Sequence, residues 1–142
     1  MVSAMSRTSA LAGPVAPDRE TRRAIEQLIA LYHEGIHLGD TDRLERVFHS
    51  EARLFGKVAG SPYLKTRAEY LDIVRGRVAP AAAGHPPGGE LLSLDVRGGV
   101  AVAVVLTPVS GIEYIDFLSL VRMAEGWRVA SKLFTDEVPP DQ

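Results

Sequence analysis

The runs Gly111–Met123 (GIEYIDFLSLVRM) and Trp127–Thr135 (WRVASKLFT) flank the tripeptide Ala124-Glu125-Gly126. Both are rich in β-branched and aromatic residues, and a short glycine-containing break between two such runs predicts an antiparallel hairpin. Just upstream, Glu90–Arg97 and Val100–Thr107 flank Gly98-Gly99, a dipeptide that accepts the positive φ angles of a tight turn, so a second hairpin precedes the first. The C-terminal half therefore reads as a mostly antiparallel meander.

The N-terminal half has a different period. Asp18 is placed to cap a helix in which Ile25, Leu28, Ile29, Tyr32 and Ile36 form one apolar stripe, with Arg22, Arg23, Glu26 and Gln27 opposite and a stop near Gly39. Asp40 or Thr41 then opens a short helix carrying Leu44, Val47 and Phe48, and Ala52–Val58 reads as a strand. Thr66-Arg67-Ala68-Glu69 is a capping-box pattern at the head of a third helix with Tyr70, Leu71, Ile73 and Val74. Val78–Gly89, with its Pro and Gly clusters, reads as a loop. Helices first and a meander last is the α+β order. Residues 1–17 are expected to be a disordered leader, 18–136 the folded domain and 137–142 a flexible tail.

Composition limits the function classes. The chain has 142 residues, 46% hydrophobic and 24% charged, with a net charge of -2, which is the profile of one ordinary globular domain. No concentrated basic surface is advertised, so nucleic acid is not an expected partner. The absence of cysteine removes disulfides, thiol nucleophiles and thiolate zinc sites. No run approaches the roughly 20 apolar residues that span a bilayer, and Met1–Pro17 lacks the apolar block of a secretory signal. A cytoplasmic location without membrane contact is the expectation. Phosphate-loop, dinucleotide-fold and serine-hydrolase signatures are all missing.

Strand alternation places Tyr114, Asp116, Leu118, Leu120, Ala130, Lys132 and Phe134 on one face of the last hairpin, and Ile115, Phe117, Val121, Trp127, Val129 and Leu133 on the other. Both faces are apolar, and helices in a chain this short cover only one of them. The second face is expected to be covered by a partner subunit in a homodimer, around Ile115, Phe117, Val121 and Trp127. Asp116 interrupts an otherwise apolar strand, and a buried carboxylate needs a partner or a proton. Lys132, diagonal to it on the neighbouring strand, is the natural partner. Such a pair either fixes register in the core or forms the polar floor of a pocket. His33 and His37, at i and i+4, lack the frame of a metalloprotease helix and read as a solvated edge, so no metal is expected. His49, at an element end, is a candidate pocket residue.

With these residues in place, the chain resembles the nuclear transport factor 2-like superfamily, the cone-shaped α+β fold shared by ketosteroid isomerase, scytalone dehydratase and SnoaL-like polyketide cyclases. Its branch labelled "putative lumazine-binding" is the most similar. The resemblance runs from about Ala24 to Thr135. It rests on Tyr32-His33-Glu34-Gly35 with Gly39-Asp40, on Val47-Phe48-His49-Ser50-Glu51-Ala52, on Tyr114 to Leu120, and on Gly126-Trp127-Arg128-Val129 leading to Lys132-Leu133-Phe134. It implies three N-terminal helices packed on a curved, mostly antiparallel sheet.

Carried over residue by residue towards ketosteroid isomerase, the resemblance puts Tyr32 at the oxyanion-binding tyrosine and Asp116 at the protonated aspartate. The general-base position falls on Gly56, and Lys132 stands where the family has a small pocket-lining residue. The resulting expectation is a metal- and cofactor-independent acid–base enzyme of the cyclase, dehydratase or isomerase type, acting on a small, largely apolar carbonyl or polyol compound. Tyr32 and Lys132 would polarise an oxygen and Asp116 or His49 would move the proton. Phe55, Tyr70, Tyr114, Leu118 and Phe134 would form the walls, and Val78–Gly89 a lid. The alternative is a non-catalytic dimeric domain of the same fold that binds a small ligand or a partner protein.

Overall fold

The computed structural model describes residues 13–137. Among the described residues three helices, α1 (Arg19–Leu38), α2 (Thr41–Val47) and α3 (Arg67–Gly76), accompany six strands: β1 (Phe48–Val58), β2 (Ser61–Thr66), β3 (Glu90–Arg97), β4 (Val100–Val109), β5 (Ile112–Met123) and β6 (Gly126–Thr135). The strands form one open sheet in the order β2-β1-β6-β5-β4-β3. It is a mixed sheet: β1 and β6 run parallel, and every other pair is antiparallel.

Local chemistry sets the helix ends. Asp18 accepts a hydrogen bond from the Thr21 N–H at 2.7 Å, and Gly39 closes α1 in the left-handed region at φ 65°. Asp40 caps α2, and Thr66 and Glu69 complete the reciprocal capping box of α3. The apolar stripe of α1 buries Ile25, Leu28, Ile29, Tyr32 and Ile36 over β6 and β4, while the edge-to-face rings of Tyr32, Phe48 and Tyr70 join α1 and α3 to β1.

Three features depart from the sequence expectation. The strand expected over Ala52–Val58 begins at Phe48, and it turns back into β2, a half-exposed edge strand that tolerates Pro62. In β6, Ser131 pairs with Ser119 but Val129 pairs with Leu120, so Ala130 is a bulge residue. One extra residue reverses the alternation beyond it. Trp127 and Val129 are consequently buried in the core instead of on the outer face, and Ala130 leaves the inner face. Of the leader expected over residues 1–17, residues 1–12 lie outside the described residues. Val15 is tied to β3: its N–H donates to Asp95 Oδ1 at 2.9 Å and its carbonyl accepts from the Val96 N–H at 3.2 Å. The expected tail over 137–142 lies outside the described residues beyond Glu137.

The outer face remains apolar without Trp127. Leu64, Phe55, Leu133 and Phe117 stand side by side on β2, β1, β6 and β5 through direct register partners, and they are 57%, 48%, 57% and 44% exposed.

Candidate functional site

Asp116 is fully buried in the middle of β5, between the sheet and the α1 stripe. Its Oδ2 accepts two hydrogen bonds, from the Tyr32 hydroxyl at 2.5 Å and from Thr107 Oγ1 at 2.7 Å. Thr107 Oγ1 lies 3.0 Å from His33 Nε2. A hydroxyl has one proton, and Thr107 gives its own to Asp116, so His33 must donate through Nε2–H. Burial pushes the His33 pKa below its ordinary 6.5, which outweighs the opposing pull of Asp116 and favours this neutral ring. The polar line His33–Thr107–Asp116–Tyr32 thus directs two donors, Thr107 and Tyr32, onto one carboxylate oxygen, with His33 donating to Thr107. The other, Oδ1, is buried and has no hydrogen-bond partner.

Lys132 lies diagonal to Asp116, since Leu118 pairs with Lys132 and Asp116 with Phe134. The expected direct pair is not formed, as no N···O distance within 4.0 Å joins the two side chains. The ammonium instead sits among aromatic faces, 4.6 Å from the Phe134 ring centroid, 5.2 Å from Tyr70 and 5.3 Å from Tyr32. Burial lowers the Lys132 pKa, Asp116 opposes that fall and Arg77 adds to it.

Asp116 and Lys132 face a common cavity of about 220 Å³, walled by Tyr63, Tyr70, Tyr114, Phe134 and the apolar side chains of Ile36, Val58, Ile73 and Val109, with Arg77 also lining it. Burial pushes Tyr63 and Tyr70 up to about 12, so both stay protonated donors. Larger concavities on the protein lie on the outer face of the sheet and near the α2–β1 junction, and neither Asp116 nor Lys132 lines them.

The sequence-predicted residues separate into two groups. Asp116, Lys132, Tyr70, Tyr114 and Phe134 meet at the cavity. Tyr32 touches Asp116 but is fully buried behind it and does not line the cavity, so its hydroxyl orients the carboxylate rather than facing a ligand oxygen. Leu118 is fully buried in the core and is no wall. Phe55 is on the outer face, because Leu54 takes the inward position of β1. His49 lies in a separate depression with Arg46, Arg67 and Arg128, its Nδ1 accepting from the Glu51 N–H at 3.0 Å. The Val78–Gly89 loop contributes nothing to the lining, although Arg77 just before it does.

Sequence reasoning missed Thr107, Arg77 and the role of His33. Thr107 was readable, since it shares the inward parity of Ala101, Ala103 and Val105 on β4. His33 lies four residues from Ile29, on the flank of the α1 stripe, and turns to Thr107 rather than to solvent. Among the described residues no three His, Asp or Glu side chains converge as metal ligands.

The position of the resembled isomerase's general base is closed. A Cβ on Gly56 would stand 2.6 Å from the Phe134 carbonyl oxygen and 2.7 Å from its ring. Gly56→Asp is therefore expected to lower stability by about 1–3 kcal/mol through overpacking alone, with more from the buried carboxylate. Urea melts of Gly56→Ala and Gly56→Asp check it; an unchanged midpoint in Gly56→Ala would show that Phe134 yields freely.

The sequence profile of a family described as "Putative lumazine-binding" matches residues 20–135. An NTF2-like protein of unknown function from Silicibacter pomeroyi is 25% identical, with 84% of this chain and 98% of that one covered at a TM-score of 0.73. An NTF2-like protein of unknown function from Shewanella baltica, 22% identical, covers 84% and 96% at the same TM-score of 0.73. A ketosteroid isomerase-like protein from Erwinia carotovora atroseptica shares the fold at 14% identity, with 87% and 100% covered and a TM-score of 0.64. No curated protein matches the chain. Fold and site together define an α+β domain of the nuclear transport factor 2-like superfamily with an internal polar cavity. Within it, the chain belongs to the putative lumazine-binding family.

Proposed function

We propose that the protein is a cofactor-independent acid–base catalyst of the isomerase, cyclase or dehydratase type, acting on a small carbonyl compound held in the 220 Å³ cavity. The observation that carries this reading is that Asp116, whose buried Oδ1 has no hydrogen-bond partner among the described residues, lines the same cavity as Lys132 with no ion pair between them. A carboxylate whose other oxygen is anchored by Tyr32 and Thr107 is oriented for proton transfer at Oδ1. In the step this favours, Oδ1 takes a proton from the carbon beside the carbonyl. The C–H electron pair becomes the C=C bond of an enolate while the carbonyl π pair moves onto oxygen, where an Nζ–H of Lys132 receives the developing charge. Return of the proton at another carbon gives an isomer, and expulsion of a β-hydroxide gives a dehydrated product.

The assay is deuterium incorporation beside the carbonyl of small cyclic ketones in heavy water. Exchange above the buffer rate that p-nitrophenol, an enol-shaped competitor, suppresses is the expected result. Ketones that bind without any accelerated exchange would favour the second reading, ligand binding without turnover, which the closed position at Gly56 supports.

A homodimer belongs to the same proposal. The row Leu64–Phe55–Leu133–Phe117 is the kind of exposed apolar patch that soluble monomers avoid. Sedimentation at micromolar concentration is expected to show twice the 15.3 kDa chain, and Leu133→Lys to shift it to monomer; a monomeric wild type would contradict this.

A further inference from the structure

Arg77 has no role in the step just described, yet it lines the same cavity. It is the residue immediately after α3, half-buried, with no carboxylate within 4.0 Å among the described residues. The dipole at the end of α3 favours a cation there. That accounts for its position but not for a guanidinium Nε that is buried and has no hydrogen-bond partner. Such an orphaned donor is costly unless something supplies an acceptor.

The charges around the cavity are also unbalanced. Arg77 and Lys132 are two cations, and Asp116 is the single acid among the lining residues. Arg77 acts electrostatically on Lys132, Tyr63, Tyr70 and Tyr114, so its charge is felt across the whole space. Three tyrosines surround it as further donors.

We infer that the ligand is a monoanion: a small cyclic or aromatic keto acid whose carboxylate is read by Arg77 while its carbonyl meets Lys132 and Asp116. This rests on the proposed use of the cavity and adds the substrate class. The carboxylate supplies the missing acceptor for Nε–H, in the fork geometry that guanidinium and carboxylate share. It also brings the negative charge that offsets two desolvated cations. Apolar walls such as Phe134, Val58 and Ile73 suit a hydrocarbon core that carries polar groups for the charged and hydroxyl-bearing side chains.

The test uses the full chain and two probes of one shape, 4-acetylbenzoate and its neutral analogue 4-acetylbenzamide, titrated by calorimetry. Wild type is expected to prefer the acid by about tenfold or more, the effect of one charge-assisted hydrogen bond. Arg77→Gln should abolish that preference by weakening acid binding more than amide binding, and Arg77→Lys should keep part of it. Equal affinities in wild type, or an acid preference that survives in Arg77→Gln, would overturn the inference and leave the cavity reading standing. Failure of wild type to bind either probe at millimolar concentration would overturn both. The wild-type comparison decides the ligand class even if Arg77→Gln does not fold.

Discussion

Asp116→Asn is expected to slow ketone α-proton exchange by about 10²- to 10⁴-fold, the usual contribution of a positioned general base. Asparagine nearly matches aspartate in shape, and its carbonyl oxygen can take over the acceptor position of Oδ2 towards Tyr32 and Thr107. Its amide nitrogen then occupies the position of the unpartnered Oδ1, so a donor replaces the proposed base. The fold should survive this exchange better than Asp116→Ala, which leaves the buried Tyr32 hydroxyl without its acceptor at a cost of about 1–3 kcal/mol. Rates and thermal melts measured on both variants separate the two effects. An Asp116→Asn protein that melts like wild type and exchanges at the wild-type rate would remove Asp116 from the chemistry.

Lys132→Met should act in opposite directions on stability and function. Lys132 is buried, makes no ion pair among the described residues, and its ammonium is held by aromatic faces and the field of Asp116. Desolvating a single buried ion costs several kcal/mol, and an apolar side chain of similar volume removes that cost. Exchange activity should nevertheless fall, because the developing oxyanion loses its charged donor.

The pH dependence carries the same information. Burial holds the folded pKa of Lys132 below the ordinary 10.5, so the unfolded chain keeps the proton more tightly. Wild-type stability should therefore rise as pH climbs through the folded value towards 10.5, and this rise should be absent in Lys132→Met. Tyr32 shifts the opposite way, its pKa raised by burial and Asp116, so its loss of stability begins only above the ordinary tyrosine value of 10.0. Urea melts at pH values below the ordinary tyrosine value of 10.0 isolate the lysine. A destabilised Lys132→Met with wild-type pH dependence would mean that the ammonium is better solvated than its surroundings indicate.

What could be read from sequence was whatever short-range chemistry dictates. The α1 stripe, the Asp18 cap and the Thr66–Glu69 capping box depend on residues within a few positions of one another, and each is found where its spacing places it. Asp116 stood out because a carboxylate in an apolar strand is anomalous by itself. Features that depend on register were hidden. The Ala130 bulge moved Trp127 and Val129 to the core, and no local pattern marks it. The parallel pairing of β1 with β6 sets Gly56 beside Phe134 and turns Phe55 outward, which a strand read alone cannot specify. Arg77 reaches the cavity only because α3 ends beside it, so its part in the site emerged from tertiary placement.

The most direct test follows the Asp116 carboxyl carbon and the Lys132 ε-methylene by NMR in isotopically labelled wild-type protein during titration with p-nitrophenol. If both groups face one ligand-binding cavity, their signals should move together and give a single dissociation constant. Signals that stay still at both groups, while residues of the outer sheet face such as Phe117 and Leu133 respond, would contradict the assignment of this cavity as the functional site.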